Sequence, residues 1–425
     1  MSSVDRVPPA VRAPLHLLGV TLMAAIVGAV SGVGSWALFE ALDSATSTRL
    51  DHDWLVWLLP VAALALGAVY HYVGAEANRG TSLVITESLV PESADEIERT
   101  PRVPMRMAPM IFGATWIAQL TGASVGREGA ALQIGGSLTT TLLRPFRLPA
   151  HEMRLALIAA MAGAFGGAFG VPFAGAIFAL EVQRTGRIRY EALAPALAAS
   201  ITADYVVEGL GRPTPLVALP IELDAWVALR LVVVGVVAGL AARVFVWSLH
   251  AVKHASRRLV SWVPARPVVG AVATLALMGL FGRDYLGLSL PLVDEALAGN
   301  TAEWFEPLLK ILFTVVALGS GIPGGEVTPL FVVGATLGSA LSAPLGLDPT
   351  LVAAATLAAV FGAAANTPIA CTVLAIELFG GEIAVPAAVV CIVAYAVSSE
   401  RGIYDGQRRG ATKDLRATAT PPRRS

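Results

Sequence analysis

The chain has 425 residues, 55% of them hydrophobic and only 14% charged, with a formal net charge of −1. Soluble domains carry about 25% charged residues, so these figures exclude an ordinary soluble fold, and the balanced charge offers no basic excess for nucleic acid as a partner. Cys371, Cys391 and six scattered histidines exclude a disulfide framework and show no metal-ligand spacing, so no metal or cofactor is expected.

Apolar runs recur at 15–41, 54–74, 107–122, 130–143, 155–181, 190–210, 225–250, 267–282, 307–318, 327–343, 351–378 and 383–398. The first is too long for a signal-peptide core and is followed by many more, so no cleaved leader is expected. Several runs fall short of the ~20 residues of a spanning helix or are interrupted. With 41 Gly and 27 Pro, the chain breaks helices more than simple lipid-facing spans need. Such breaks are tolerated at membrane depth where they line a cavity inside the protein, which is the organisation of transporters and channels. The charged stretch 91–106 reads as an exposed loop and 400–425 as a polar tail. The predicted organisation is an N-terminal segment 1–14, membrane repeats 15–222 and 223–404, and a tail 405–425, in an all-α polytopic membrane protein.

An internal repeat supports that division. Phe165-Gly-Gly-Ala-Phe-Gly-Val-Pro-Phe-Ala-Gly-Ala-Ile-Phe-Ala-Leu-Glu181 matches Phe361-Gly-Ala-Ala-Ala-Asn-Thr-Pro-Ile-Ala-Cys-Thr-Val-Leu-Ala-Ile-Glu377 at seven of seventeen positions. At an offset of 198, Gly126, Glu128, Leu132 and Gly136 fall on Gly324, Glu326, Leu330 and Gly334. The first copy is followed by Arg144, Arg147, Arg154, Arg184, Arg187 and Arg189, and the second by Asp348 and Glu382. By the positive-inside rule the copies face opposite ways. Arg6, Arg12 and the arginine-rich tail place both termini in the cytoplasm, with the chain in the cell membrane. Inverted repeats with broken helices form substrate sites near the bilayer midplane.

Glu128, in Gly126-Arg127-Glu128-Gly129, opens an apolar helix. A helix N-terminus offers unpaired N–H groups and partial positive charge, and binds anions. A carboxylate there occupies the anion site when ionised and leaves it when protonated; the competing reading is a helix cap paired with Arg127. Glu326 in Gly324-Gly325-Glu326-Val327-Thr328-Pro329 is read as its repeat-related partner, either a proton relay or a cap for the loop. Thr328 can donate a hydroxyl hydrogen bond to an anion, and Pro329 suits a first helical turn. Thr81 and Ser82 open another helix, as ion donors or as caps. Pro172, Asn366 and Pro368 mark helix breaks. Tyr404 is an interfacial anchor unless the chain turns back into the protein, where it becomes an ion ligand.

The literal G-x-G-x-x-G at 319–324 lies between membrane-length apolar segments rather than after a strand, and Glu326 would crowd a phosphate, so a dinucleotide site is rejected. There is no Walker A sequence and no nucleophile–base pair, so an enzyme is not expected.

On these residues the chain resembles the CLC family of anion channels and anion/proton antiporters over roughly 15–405. The resemblance implies an inverted-repeat fold with broken and re-entrant helices, a homodimer with a pathway in each subunit, and Glu128 as the gating glutamate. Chloride-handling members usually continue Gly-Arg-Glu-Gly with Pro where this chain has Ala130, and carry Gly-x-Phe-x-Pro where it has Gly-Gly-Glu-Val-Thr-Pro. Those differences resemble the fluoride-exporting clade. They imply roles for Glu326 and Thr328 in fluoride handling and proton coupling, and place Tyr404 at the inner gate. Gly126, Arg127, Gly129, Val327, Thr81 and Ser82 would line the anion site. Fluoride members often have Met or Asn where this chain has Thr81. The expected partners are fluoride, protons and the lipid bilayer. Chloride is the alternative ion, carried by an exchanger or a passive channel of the same family.

Overall fold

The computed structural model describes residues 9–89, 99–212 and 225–408. The expected repeat boundary at 222/223, most of the tail and part of the 91–106 stretch lie outside the described residues. Among the described residues eight α-helices precede residue 213: α1 Pro9–Asp51, α2 Leu59–Val69, α3 Thr81–Ser88, α4 Met107–Leu120, α5 Glu128–Leu143, α6 Ala150–Phe169, α7 Pro172–Glu181 and α8 Leu193–Gly209. A second series follows: α9 Ala225–Leu259, α10 Arg266–Phe281, α11 Leu290–Leu297, α12 Glu306–Ser320, α13 Val327–Leu345, α14 Pro349–Ala365, α15 Pro368–Phe379 and α16 Ala384–Val397. Each series opens on its longest helix, of 43 and 35 residues, and each has an eight-residue helix in third place. Among the described residues β pairing is confined to isolated bridges.

Among the described residues six helical stretches, including Leu15–Asp51, Ala225–Leu259 and Val327–Leu345, are long and apolar enough to cross a membrane. This is a membrane protein. Others are short because the sequence stops them. The run 155–181 breaks at Gly170 (φ 65°), and 351–378 breaks at Asn366 (φ 58°). Both residues hold the left-handed conformation that glycine and, less readily, asparagine supply at a helix end. Pro172 and Pro368 then open α7 and α15, where a missing N–H is no loss.

α7 and α15 are joined across the two halves by reciprocal caps. Glu181 accepts from the Ile369 and Ala370 N–H groups at 3.2 and 2.9 Å. Glu377 accepts from the Phe173 and Ala174 N–H groups at 2.9 and 2.7 Å. Each carboxylate meets the positive end of the other half's helix, as a two-fold relation between the halves requires. The aromatic core beneath also draws on both halves: Phe165 stacks on Phe178 at 4.2 Å, and Phe361 lies 5.5 Å from Phe331.

The structure corrects the register of the other repeat block. Gly126 pairs with Gly325, not Gly324, through reciprocal hydrogen bonds of 2.6 and 2.8 Å. The preceding turns match in that same register, with Ala123 donating to Ala118 and Ile322 to Ala317. Glu128 therefore corresponds to Val327, and Glu326 to Arg127; the two glutamates are not counterparts. The recurring Gly-x-Glu spelling misleads because the helix ends, not the letters, set the correspondence.

The described part of 91–106 is less exposed than its charge suggests. Pro101 and Val103 are buried, Arg99 pairs with Glu87, and the Arg102 N–H donates to Glu87 at 2.9 Å.

Candidate ion-binding site

Three helix N-termini meet: α3 at Thr81, α5 at Glu128 and α13 at Val327. The Gly126–Gly325 bridge brings the last two together, and only glycine permits the approach. A Cβ on Gly126 would lie 2.9 Å from the Gly325 carbonyl oxygen and 2.9 Å from Pro329 Cδ; one on Gly129 would lie 3.1 Å from Gly325 Cα.

Glu128 is buried and its carboxylate crosses to α13 rather than capping α5. Oε2 accepts from the Thr328 N–H at 3.1 Å and the Arg127 N–H at 3.2 Å. The Thr328 hydroxyl lies 2.7 and 2.6 Å from the two carboxylate oxygens. Arg127 Nε is 3.6 Å from Oε1, while its guanidinium bonds Asp43 at 3.1 Å and stacks over Phe39 at 4.0 Å. A carboxylate thus sits where the first turn of α13 presents donors to an anion. Val327, the first residue of α13, is fully buried beside it.

Glu326 occupies the N-cap position of α13, but its side chain makes no cap. It lines a cavity of about 220 Å³ with Asn78, Gly80, Gln133, His250, Lys253 and others. Its Oε2 lies 3.9 Å from where a Cβ on Gly129 would stand, and Thr81 Oγ1 lies 3.2 Å from that point. Glu326 thus approaches the Gly129 end of the turn, while Glu128 Oε2 lies 3.2 Å from where a Cβ on Gly126 would stand.

Thr81 is neither a cap nor an open donor. Its hydroxyl donates to the Gly129 carbonyl at 3.2 Å and accepts from Gln133 Nε2 at 3.3 Å, and Gln133 also donates to Gly129 at 3.1 Å. Gln133 is a neighbour that sequence reading missed, one helical turn past Gly129. Ser82 is half-buried, and its carbonyl accepts from Thr86 at 2.6 Å.

Tyr404 is buried, because the chain after α16 turns back into the protein. Ile403 N–H donates to the Ala364 carbonyl at 2.9 Å. Asn366 Nδ2 bonds the Glu400 carbonyl and Gln407 at 3.3 and 2.9 Å, and Arg408 N–H reaches the Gln183 carbonyl at 3.0 Å. The phenol oxygen of Tyr404 is buried and has no hydrogen-bond partner among the described residues. Residues 405–408, assigned from sequence to the tail, belong to this stitched segment.

Residues 61–399 match the family described as Voltage gated chloride channel. The chain belongs to the CLC family. A Chloride/fluoride channel protein of Pseudomonas syringae pv. tomato is 40% identical to this CLC chain over 403 residues, covering 93% of it and 87% of the relative. An H(+)/Cl(−) exchange transporter of Salmonella paratyphi B is 26% identical over 407 residues, covering 88% and 84%. Among solved structures, a CLC-type fluoride/proton antiporter superposes with a TM-score of 0.88 at 31% identity, covering 93% of this chain and 99% of that one. A cyanobacterial Cl−/H+ antiporter, at 17% identity and a TM-score of 0.75 over 89% and 94%, shares the fold. The inverted-repeat architecture expected from the CLC resemblance is the one this chain has.

Proposed function

We propose that the protein exchanges fluoride for protons across the cell membrane and exports fluoride. The observation that carries this reading is the seating of the Glu128 carboxylate in donors of the α13 N-terminus. Ionised Glu128 competes with a permeant anion for those donors; protonated, it gives them up. The same group thereby links proton uptake to anion movement.

Fluoride is small and strongly hydrated, so its site must replace lost water with close donors. The Thr328 hydroxyl and N–H and the unpartnered Tyr404 hydroxyl supply them. Glu326, facing the 220 Å³ cavity, relays protons to or from solution; that volume holds several waters at about 30 Å³ each. Thr81 and Ser82 act through backbone N–H groups at the start of α3, since the Thr81 hydroxyl is engaged. The 40% identical channel protein and the 31% identical antiporter both carry fluoride in their names. The second reading, a chloride exchanger or passive channel, draws on the 26% identical H(+)/Cl(−) exchanger. The arginine-rich loops favour cytoplasmic termini, and the resemblance favours a homodimer with 15–222 and 223–404 as its repeats.

The test is flux from liposomes holding the purified protein, read with fluoride and chloride electrodes with and without a proton gradient. Uphill fluoride movement driven by protons, with chloride nearly still, supports the antiporter. Comparable chloride flux replaces it with a general anion exchanger, and flux indifferent to protons with a channel.

A further inference from the structure

Outside the anion site, the most deeply buried charge among the described residues is Lys310 on α12, with no exposed surface. Its Nζ lies 2.9 Å from the Gly287 carbonyl, 3.3 Å from the Tyr285 carbonyl, 2.9 Å from Ser289 Oγ and 3.0 Å from Ser124 Oγ. The Ser289 hydroxyl donates to the Leu286 carbonyl at 3.3 Å, so its oxygen accepts from the lysine. Four oxygens face this one nitrogen: an ammonium reaches them with three hydrogens, one of them shared between two oxygens, whereas a neutral amine has only two to offer. Every hydrogen-bond partner of Nζ among the described residues is a neutral oxygen. Burying a lone ammonium is costly unless dipoles replace its water, and the 285–289 turn is shaped to do so. Gly287 (φ 59°) and Ser289 (φ 56°) are both left-handed, which brings two carbonyls and a hydroxyl of one short turn round a single point.

Hard cations take such oxygen sets. We infer that Lys310 is a tethered monovalent cation. Its ammonium fills a four-oxygen seat between α11, α12 and the α4–α5 loop. Through Ser124 it fixes the loop that carries Gly126 and Arg127 to Glu128, and so acts as a positioning residue. Ser124 is also hydrogen-bonded to the Thr314 hydroxyl at 3.0 Å, one turn along α12 from Lys310. A second cation packs behind the same turn: Arg49 Nη1, buried and without a hydrogen-bond partner among the described residues, lies 2.6 Å from where a Cβ on Gly287 would stand. The device is one-sided, because the register that pairs Gly126 with Gly325 puts Ile111 opposite Lys310. It is independent of which anion the pathway carries.

The full chain with Lys310→Ala tests this, compared with wild type in choline, potassium and ammonium salts of one anion at equal ionic strength. The expected result in choline is a Tm lower by about 5 °C or more. Ammonium or potassium restores the Tm and anion flux along one saturating curve, while wild type responds to none of the three. An unchanged Tm, or a loss identical in all three salts, overturns the inference, because a merely structural lysine leaves no cation-selective seat. If Lys310→Ala folds only with ammonium present throughout, the seat is supported. If it folds in no salt, Ser289→Ala and Ser124→Ala decide, since each keeps the ammonium and removes one oxygen. Lower Tm and flux in both variants support the seat, and wild-type behaviour of either overturns it.

Discussion

The hydroxyl of Thr328 lies 2.7 and 2.6 Å from the two carboxylate oxygens of Glu128, although 200 residues separate them. It donates to the ionised carboxylate and so holds Glu128 in the seat in the charged state that competes with an anion. Hydrogen bonds to charged groups contribute about 1.5–3 kcal/mol. Thr328→Val, which keeps the shape and removes the hydroxyl, should therefore unseat Glu128 by roughly 10- to 100-fold. Thr328→Ser should retain the seat. Paired anion and proton flux in liposomes reads the effect: Val lowers the number of protons moved per anion and Ser does not. Glu128→Gln removes the titratable group and should abolish coupled exchange. Wild-type coupling in Glu128→Gln would remove the gate assignment altogether.

The close approach that builds the site predicts opposite effects for two glycines. Gly126→Ala drives a Cβ to 2.9 Å from both a backbone carbonyl and a proline ring, neither of which has a flexible end to move. Overpacking of this kind costs about 1–3 kcal/mol and also pushes Glu128 off Thr328. Gly113, inside α4, has nothing within 4 Å of its added Cβ, so Gly113→Ala should gain up to about 1 kcal/mol of helix propensity. Thermal unfolding in detergent should show Tm falling for the first and holding or rising for the second. Equal Tm values would refute the packing argument.

What could be read from the sequence is local in origin. Pro172 and Pro368 announce helix starts because a missing N–H constrains the chain wherever it falls. Glu128 announces a helix N-terminus because glycines precede it and an apolar helix follows. The partner of Glu128 was not legible, since Thr328 lies on the other half and nothing near either residue encodes the crossing. The true register was hidden by a second Gly-x-Glu, one residue out of step with the helix ends. Tyr404 was ambiguous because its burial depends on Asn366 and Gln407 drawing the chain back. Glu181 and Glu377 did leave a signal, as the shared last residue of the repeat block, but a shared letter does not tell a cap from a coincidence.

The latch on the Tyr404 segment separates backbone shape from side-chain bonding at one position. Asn366 is left-handed and also bonds Gln407 and the Glu400 carbonyl. Asn366→Gly keeps the conformation and loses the bonds; Asn366→Ala loses both, at about 1 kcal/mol or more beyond Gly. Tm should fall in the order wild type, Gly, Ala. Both variants should displace the Tyr404 hydroxyl from the pathway, seen as slower fluoride flux in which Tyr404→Phe produces no further change. An additive effect of Tyr404→Phe in these backgrounds would show that the latch does not hold the tyrosine.

Asp405, past the last helix, gives the segment a pH dependence. Burial alone would raise its carboxyl, but the Lys253 ammonium at 2.8 Å and Arg401 at 3.1 Å overcome this and hold it below the ordinary 3.8. A folded value below the unfolded one stabilises above the unfolded value and is lost as pH falls through the folded one. Asp405→Asn should therefore have a lower Tm than wild type at pH 7, with the gap closing below about pH 4. The pairs are more than a third exposed, so high salt should narrow the gap as well. A difference independent of both pH and salt would assign the effect to packing.

The reciprocal clasp between α7 and α15 makes the last prediction. Each glutamate lies at or near the C-terminal end of its own helix, where the macrodipole disfavours negative charge, and meets the N-terminus of the opposing helix, where it is favoured. The unfavourable placement is offset only while the two helices stay antiparallel and in contact. Removing either carboxylate leaves two backbone N–H groups without an acceptor, at about 1–3 kcal/mol each where water cannot reach. Glu181 is 5% exposed, whereas Glu377 is more open, so water compensates better for losing Glu377. Glu181→Ala should therefore lower Tm more than Glu377→Ala. Gln should fall between wild type and Ala at both positions, since its one carbonyl oxygen keeps an acceptor but not the charge. Because the two caps hold the same helix pair, the double Ala variant should lose less than the sum of the single losses. Strict additivity would mean that each carboxylate caps a helix end independently and that the clasp is not a unit.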